Sequence, residues 1–432
     1  MKMIIDFRTV IGEIKPMNAV NNGPVYTENA DQNGSNLEDF KKANIPYARV
    51  HDASICYEYG GEHTVDVMNI FPDFNADPND PAAYDFTLTD EYLHTIMLAG
   101  SKVFFRLGHK IEHWKKHYGT VPPADFRKWA EICEHIIAHC NEGWADGHKM
   151  GIEYWEIWNE PDISKCWTGT MEEYFELYAV TSKHLKERFP SLKIGGPALS
   201  NANENLIRPF FEKIKKENLP FDFFSWHAYA SDVKTIVDAA QRTKALLNEY
   251  GFDKTESILN EWNYVKGWGE PEWTISKKTE HSAKGAAFIA AVMTACQKEN
   301  VDMLMYYDAR INSTMNGLFD IITFEKIKGY YPVCLWGEMM NMRNECKTEC
   351  SIPNIYAVAS ADGDKKLAMI TYYTDSDDAL PITFRILSEK IEKFRLFRLD
   401  ETHDMTPYSE IYFDNEGFTI TLQPNTITVL RT

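Results

Sequence analysis

Two glutamates follow strand-like segments and are placed to act together. Glu160 lies in a Trp-Asn-Glu-Pro motif at 158–161 that closes the strand-like run 152–158, and Glu261 lies in a second run, 257–262. Glycoside hydrolysis needs such a pair, because one carboxylic acid protonates the leaving oxygen while the other carboxylate attacks the sugar or activates water. The two strand ends therefore favour acid–base chemistry on a neutral polyol. Separate structural ion pairs are the competing interpretation.

This chemistry assigns opposite charge states to the two carboxyl groups. Glu160 is the candidate acid/base and must be protonated at the working pH, so we expect its pKa to be raised by apolar neighbours such as Trp158 and by the nearby anion. Glu261 is the candidate nucleophile and must stay ionised. Asn159 can donate a hydrogen bond to the sugar 2-hydroxyl, a contact that strengthens in the oxocarbenium-like transition state. A turn-forming asparagine is the alternative.

Two further strand ends carry polar side chains that could support the pair. His227 and Tyr229 lie on one side of a strand by its period of two, and the phenol could hydrogen-bond the nucleophile and lower its pKa. Arg49 is a cation that could keep the nucleophile ionised, and His51 and Asp52 could bind sugar hydroxyls. The structural alternative for His227 is a core histidine. For Arg49, His51 and Asp52 it is a surface ion pair.

The sequence predicts no metal ion and no cofactor. His109, His113 and His117 recur every four residues, which is the spacing of one helix face. They lack the HExxH order of zinc enzymes, and Pro122 and Pro123 follow closely, so a polar helix face is the simpler interpretation. His109 could still line the mouth of a pocket. There is no phosphate-binding, nucleophile-elbow or dinucleotide fingerprint.

Composition narrows the class of partner. The chain has 432 residues and a net charge of −19, from 64 acidic and 45 basic residues, which opposes binding to a nucleic acid. Aromatic residues make up 13% of the chain, a supply of rings that suits sugar binding but also suits a large core. Candidate sugar platforms, with core packing as the alternative, are Trp167, Trp268, Trp273 and Trp336.

The N-terminal segment and the cysteines favour a cytoplasmic protein. The first apolar run is too short for a signal peptide and is broken by Asp6 and Arg8, and no window is long enough to span a bilayer. The 8 cysteines are scattered without a CxxC pair, so we expect reduced thiols.

The fold predicted from the residue pattern is α/β. Short apolar segments alternate with helical ones, and Thr170-x-x-Glu173 is a capping box that marks one helix start. This alternation predicts a catalytic (β/α)₈ TIM barrel over residues 9–345. The predicted strands are 47–51, 102–107, 153–158, 193–196, 221–226, 257–261 and 303–307, with an eighth near 11–14.

The pattern changes after about residue 343. Short alternating segments separated by turn residues predict a C-terminal antiparallel β-sandwich over residues 346–432, to which residues 1–8 could add a strand. The predicted strands are 356–359, 367–373, 382–387, 393–399, 418–422 and 426–430.

The motifs together resemble clan A glycoside hydrolases and, within them, glycoside hydrolase family 39, the β-xylosidase-type family. The matching residues are Tyr47-x-Arg49-x-His51, Trp158-Asn159-Glu160-Pro161, His227-x-Tyr229 and Asn260-Glu261-Trp262. The resemblance implies that Glu160 is the acid/base and Glu261 the nucleophile of a retaining double displacement without a metal. It favours a β-xylosidase-like enzyme on short neutral oligosaccharides. We expect an exo-acting enzyme, because a chain without a leader and with long loops that could close the pocket suits that mode.

Some features depart from this family and leave the sugar open. Asp52 and Ala53 follow His51 where a glycine is usual, and a long loop runs from there to Phe86. An arabinofuranosidase or galactosidase of the same clan is therefore the enzymatic alternative. A catalytically dead, carbohydrate-binding barrel and a scaffold that binds no glycan are the other two. Assembly into a homo-oligomer is left open.

Overall fold

A closed barrel forms the larger part of the fold. The computed structural model describes residues 1–26, 34–53, 61–388, 393–412 and 417–432. Within them, eight parallel strands close in chain order, and their side chains are almost all buried, as is typical of strands covered on both faces. The barrel strands are β2 (Ala19–Asn21), β3 (Tyr47–Val50), β4 (Lys102–Leu107), β5 (Tyr154–Ile157), β6 (Lys193–Leu199), β7 (Phe223–Ala230), β8 (Glu256–Tyr264) and β9 (Met303–Tyr306).

Helices cover the outside of the barrel with their apolar faces. The predicted capping box is present at Thr170 and Glu173, where each side chain accepts a backbone N–H of the other residue and fixes the start of the following helix. The described helices are α1 (Leu37–Ala43), α2 (Val67–Ile70), α3 (Thr87–Leu98), α4 (Phe126–Asn141), α5 (Met171–Arg188), α6 (Glu204–Glu217), α7 (Val233–Tyr250), α8 (Glu272–Glu280), α9 (Ala283–Lys298) and α10 (Tyr330–Met342), with short 3₁₀ helices at Pro81–Ala83 and Trp144–Asp146.

The barrel prediction is confirmed, with one strand misplaced. Seven of the predicted strands coincide with β3 to β9, but the eighth, near 11–14, was wrong. The first barrel strand is Ala19–Asn21, whose three residues are too few to show a period, while residues 11–13 belong to a strand of the second domain. Val10 and Ile11 are exposed there, so their apolar character misled the prediction.

The second domain is one sheet of nine described strands. The strands are β1 (Lys2–Glu13), β10 (Asn344–Glu349), β11 (Ile355–Asp362), β12 (Lys365–Tyr372), β13 (Leu380–Leu387), β14 (Lys393–Leu399), β15 (Asp404–Tyr412), β16 (Phe418–Leu422) and β17 (Thr426–Arg431). Their order is β15-β14-β17-β12-β11-β10-β1-β13-β16, antiparallel except where β1 runs parallel to β13. The six strands predicted from alternation are present, and β10 and β15 were missed because they lack regular alternation.

This sheet folds over itself into a sandwich. Phe7 of β1 stacks on Phe394 of β14 with ring centroids 5.7 Å apart, although four strands separate β1 from β14 in the sheet order. The enclosed core includes Met3, Ile5 and Phe384. The opposite face packs on the helices of the barrel. The N-terminal strand thus completes the C-terminal sandwich and extends past residue 8.

No helix among the described residues has the length and apolarity needed to cross a membrane. Cys56 and residues 54–60 of the long predicted loop lie outside the described residues, and the other cysteines are free thiols.

Truncating the stacked ring of the N-terminal strand should destabilise the sandwich. We expect Phe7→Ala to lower the free energy of unfolding by about 3–5 kcal/mol, because it removes a buried aromatic side chain and leaves a cavity. Val10→Ala changes an exposed position of the same strand and should leave the unfolding midpoint in denaturant unchanged. Equal midpoints for the two variants would show that Phe7 does not contribute to this core.

Candidate active site

Five strands of the barrel bring polar side chains to one rim. In a (β/α)₈ barrel the carboxyl ends of all strands meet on the same face, which is where substrates bind. The side chains at this rim are Asn21 of β2, Arg49 of β3, Asn159 and Glu160 immediately after β5, His227 and Tyr229 of β7, and Asn260 and Glu261 of β8.

Local irregularities aim these side chains. The pairing of β8 with β7 slips by one residue at Asn260, so Asn260 and Glu261 both reach the site although a regular strand would send them to opposite faces. After β5, Trp158 and Glu160 have left-handed backbone angles, with φ of 74° and 45°. The Glu160 N–H donates to the Ala198 carbonyl at 2.9 Å, which ties this strained turn to β6.

Arg49 is the hub of the site. Its fully buried guanidinium donates to the Glu156 carboxylate at 2.7 Å and to the Glu261 carboxylate at 2.8 Å. It also donates to the Oδ1 atoms of Asn21 at 3.0 Å and Asn159 at 2.6 Å. A planar, permanently charged group with several donors can hold four acceptors from different strands at once, so Arg49 fixes their relative positions.

Glu261 is held in its charged form. Burial raises the pKa of its carboxyl group, but the positive groups of His227, His51 and Arg49 and the hydrogen bond from Tyr229 outweigh burial, so the pKa lies below the ordinary value. The Tyr229 hydroxyl donates to Glu261 Oε2 at 2.8 Å. This carboxylate therefore meets the requirement for an ionised group in a buried site.

His227 joins the two carboxyl groups. Its Nδ1 lies 2.7 Å from Glu160 Oε1 and 3.4 Å from Glu261 Oε2, and one oxygen of each carboxyl group lies within 4.8 Å of the other. The Glu261 carboxylate, held as an anion, can only accept, so Nδ1 is placed to donate to it. Burial lowers the pKa of His227, but the charges of Glu261 and Glu160 outweigh it and leave the pKa raised.

Asn159 presents a hydrogen-bond donor to the pocket. Arginine can only donate, so the Asn159 oxygen must face the guanidinium and the amide NH₂ must point away from it. Asn159 is buried among its neighbours yet lines the pocket. This orientation suits donation to a substrate hydroxyl.

His51 and Asp52 lie in a second charged group at the wall of the pocket. The Asp52 carboxylate is 3.1 Å from His51 Nδ1, 3.5 Å from Lys110 Nζ and 3.6 Å from an Arg310 nitrogen. Burial acts to raise the pKa of Asp52, but His51, Arg310 and Lys110 together hold it well below its usual range. Glu62 forms ion pairs with both Lys110 and Arg310, and Asp308 lies 3.5 Å from an Arg310 nitrogen, so three carboxylates surround these two cations.

The structural alternative for Arg49, His51 and Asp52 is excluded. All three side chains are buried and line or support the pocket, so they are not a surface ion pair. The Trp158 ring packs on Trp129 and Trp167, and Trp158 is not among the residues that line the pocket. The left-handed turn thus places the indole in the core.

The histidine series lies on irregular chain and not on a helix. Residues 108–125 contain no helix, so His109, His113 and His117 do not share a helix face. His109 is buried 3.5 Å from the Asp66 carboxylate, away from the pocket mouth, and His113 lines the pocket instead. Pro122 and Pro123 argued against a helix here, whereas the regular spacing of the histidines suggested one.

The pocket above the two glutamates is large and has an aromatic rim. Its volume is about 1610 Å³, and Trp268 and Trp273 line it. These rings stack with centroids 5.4 Å apart, and Trp268 is 63% exposed and contacts Tyr229. Trp167 and Trp336, the other two candidate sugar platforms, are buried in the core.

Several residues of the site escaped sequence analysis. Glu156 accepts hydrogen bonds from Arg49 and from Asn260 at 2.5 Å and is fully buried. A charged residue inside the apolar run of β5 was an available signal for it. Lys110, Arg310 and the Cys166 thiol, 3.6 Å from Glu160, come from loops, and no local pattern marks them.

Three clusters among the described residues bring histidine and carboxylate atoms close enough to hold a metal ion. They are Glu160 with His227 and Glu261, His63 with Asp66 and His109, and Asp90 with His139 and His148. Arginine already occupies one carboxylate in each of the first two clusters, through Arg49 and Arg106. That positive charge opposes a second cation in both.

Comparison with known proteins identifies the family. The profile of Glycosyl hydrolases family 39 matches residues 15–318 of this chain, which include all barrel strands and every rim residue described above. The chain belongs to glycosyl hydrolase family 39. The resemblance inferred from the motifs is therefore confirmed.

Individual relatives of this family 39 chain are distant. It is 26% identical over 209 residues to a beta-xylosidase of Geobacillus stearothermophilus, and the matched segment covers 44% of this chain and 40% of that protein. It is 29% identical over 162 residues to a beta-xylosidase of Caldicellulosiruptor saccharolyticus, covering 35% and 32%. The matches thus span well under half of these relatives.

The whole fold has solved counterparts. A glucosidase from Croceicoccus marinus superposes with a TM-score of 0.82 at 21% identity and covers 100% of this chain and 98% of that one. At this identity the likeness establishes a shared fold, a barrel with its β-sandwich.

Removing the hub cation of this family 39 site should destabilise the fold. We expect Arg49→Met to lower the free energy of unfolding by about 3–5 kcal/mol, because Glu156 and Glu261 would stay buried without their cation. Arg127→Met, on the exposed face of α4, is the control and should leave denaturant unfolding unchanged. A small loss for Arg49→Met, equal to that of the control, would contradict the role of Arg49 as the hub.

Proposed function

We propose that the protein is a retaining, exo-acting glycoside hydrolase of the β-xylosidase type, acting on short neutral oligosaccharides. The observation that carries the proposal is the pair of carboxyl groups joined by His227 at the floor of the pocket, one of them held as an anion by Arg49. Family membership and the two beta-xylosidase relatives support the same reaction class.

Retention of the anomeric configuration is supported by the spacing of the carboxyl groups. Retaining enzymes separate them by about 5–5.5 Å, whereas inverting enzymes need about 6.5–9.5 Å to admit a water. One oxygen of Glu160 and one of Glu261 lie within 4.8 Å of each other. This gap favours direct attack by a carboxylate on the anomeric carbon.

The proposed reaction has two steps. Glu160 gives its proton to the leaving glycosidic oxygen while Glu261 attacks the anomeric carbon, so the aglycone departs as an alcohol and a glycosyl ester remains on Glu261. Glu160, now ionised, takes a proton from water, which attacks the same carbon and releases the sugar and the Glu261 carboxylate. Asn159 donates to the sugar 2-hydroxyl in both transition states.

The charges of the pocket support a neutral sugar. Lys110 and Arg310, the cations beside His51 and Asp52, are paired with Asp52 and Glu62, so neither of them is a surplus cation for a sugar carboxylate. His51 and Asp52 supply fixed polar atoms for ring hydroxyls. The stacked pair Trp268 and Trp273 offers an apolar surface to the next sugar.

Substitution of each glutamate tests the assignment of roles. We expect Glu160→Gln and Glu261→Gln each to reduce kcat/KM on an aryl β-xyloside by more than about 10²-fold, because glutamine neither transfers the proton nor forms the ester. Glu204→Gln, a carboxylate elsewhere in the pocket lining, is the matched control and should retain activity. NMR of the first product should show the β anomer. Unchanged turnover in either glutamine variant, or an α product, would contradict the mechanism.

The sugar is tested separately by comparing aryl xyloside, arabinofuranoside, galactoside and glucoside through kcat/KM. The proposal expects the xyloside to be the best of the four. A higher kcat/KM on another sugar would leave the proposed reaction in place and change the proposed substrate. Binding of sugars by calorimetry without turnover of any substrate would favour the catalytically dead barrel.

The pH profile should reflect the charge of Glu261. Its lowered pKa predicts that the acidic limb of kcat/KM lies below the ordinary value for a glutamate, since the proposed nucleophile must be ionised. Tyr229→Phe removes a donor to the charged form, so the Glu261 pKa should rise and the acidic limb should move to higher pH. Tyr118→Phe, at an exposed phenol, should not move it. An unmoved limb in Tyr229→Phe would contradict this contact.

A further inference from the structure

Outside the catalytic pocket, a second cluster of titratable side chains joins two outer helices and a loop. Asp90 of α3, His139 near the end of α4 and His148 of the loop that leads to β5 converge on one point. None of the three lines the catalytic pocket. They adjoin a separate surface cleft of about 450 Å³, whose lining includes Asp85 and Asp146.

Two imidazole nitrogens face one carboxylate at this cluster. His139 Nε2 lies 3.0 and 3.1 Å from the two oxygens of Asp90, and His148 Nε2 lies 3.0 Å from Asp90 Oδ2. In the described part of the chain, these two histidines are the positively chargeable partners of Asp90. Unlike the other two clusters, this one contains no arginine bonded to its carboxylate.

The hydrogen bond on the far side of the His139 ring determines what can lie between His139 and Asp90. His139 Nδ1 is 3.0 Å from the Trp144 carbonyl oxygen, which can only accept, so Nδ1 carries the ring proton. In the neutral ring, Nε2 then turns a lone pair toward a carboxylate. Such an arrangement needs a positive charge between the two groups, either a second ring proton or a metal ion.

The surroundings hold the rings in the orientation that a metal ion requires. Phe86 stacks on the His139 ring with centroids 3.5 Å apart. The backbone N–H of His148 donates to the backbone carbonyl of His139 at 2.6 Å. Gly147 permits this close approach, because a Cβ there would lie only 2.2 Å from the same carbonyl oxygen. A histidine ligand that donates its other N–H to a backbone carbonyl, as His139 does, is the usual support of a metal site.

We propose that Asp90, His139 and His148 bind a divalent transition-metal ion of the zinc class. Two imidazoles and one carboxylate form a donor set that zinc accepts, with water as the fourth ligand. Ligand atoms at tetrahedral angles and bond lengths of about 2.0–2.1 Å lie about 3.3 Å apart, so the observed spacings need only small adjustment. The ion would join α3 and α4 to the loop that enters β5, the strand preceding Glu160, and would act as a structural support.

Zinc and cobalt binding to the full chain tests the proposal. Chelator-treated protein should bind one Zn²⁺ per chain and should melt at a higher temperature with Zn²⁺ than without it. Co²⁺ should give the intense visible absorption of four-coordinate cobalt. Binding should weaken as the pH is lowered, because a histidine must be deprotonated to bind a metal ion.

Variants locate the ion. His148→Gln changes a partly exposed ligand and should weaken binding more than about 10-fold. His63→Gln, in the cluster at Asp66, is the matched control and should bind as the wild type does. Asp90→Asn should likewise weaken binding more than about 10-fold, and His148→Gln remains the test if the Asp90 variant does not fold.

Three results would overturn the proposal. One is the absence of any Zn²⁺ or Co²⁺ bound to the wild type at 100-fold excess over protein. Another is binding that His148→Gln leaves intact. The third is a melting temperature that Zn²⁺ does not raise, because the ion would then not support the fold.

Discussion

The buried guanidinium of Arg49 is the interaction on which the site depends. It binds Glu156, Glu261, Asn21 and Asn159, so one side chain joins the ends of β2, β3, β5 and β8 across the barrel. Two buried carboxylates would be costly without this cation. Its donors fix both which groups are charged and which way the amides point. The charge of the proposed nucleophile and the donor presented to a sugar are therefore consequences of one contact network.

The same network separates the two glutamates by environment. Glu261 is in contact with Arg49 and Tyr229, whereas Glu160 is approached by His227 and by the thiol of Cys166. Hydrogen-bond donors and positive charges stabilise the ionised form of a carboxyl group, so negative charge is favoured on Glu261. In the proposed mechanism, the different roles of Glu160 as acid and Glu261 as nucleophile rest on this unequal supply of donors around two identical groups.

What the sequence could predict depended on how local the signal was. The strands β3 to β9 were visible because buried parallel strands are continuous apolar runs, and Glu160 and Glu261 were visible because each sits in a distinctive motif. The three-residue β2 was too short to show a pattern. Arg49 was found but Glu156 was missed, and their pairing was not predictable because the two residues lie 107 positions apart. Loop residues such as Arg310 reach the pocket through tertiary packing, which a local pattern does not encode.

Chemical trapping tests the central claim most directly. A 2-deoxy-2-fluoro-β-xyloside with an activated leaving group slows both steps and should leave the sugar attached to the attacking carboxylate. Peptide mass spectrometry of the inactivated protein is predicted to place one sugar on Glu261, and Glu261→Gln is predicted to resist labelling. A sugar attached to Glu160 or to any other residue would contradict the assignment of the carboxylate held by Arg49 as the nucleophile.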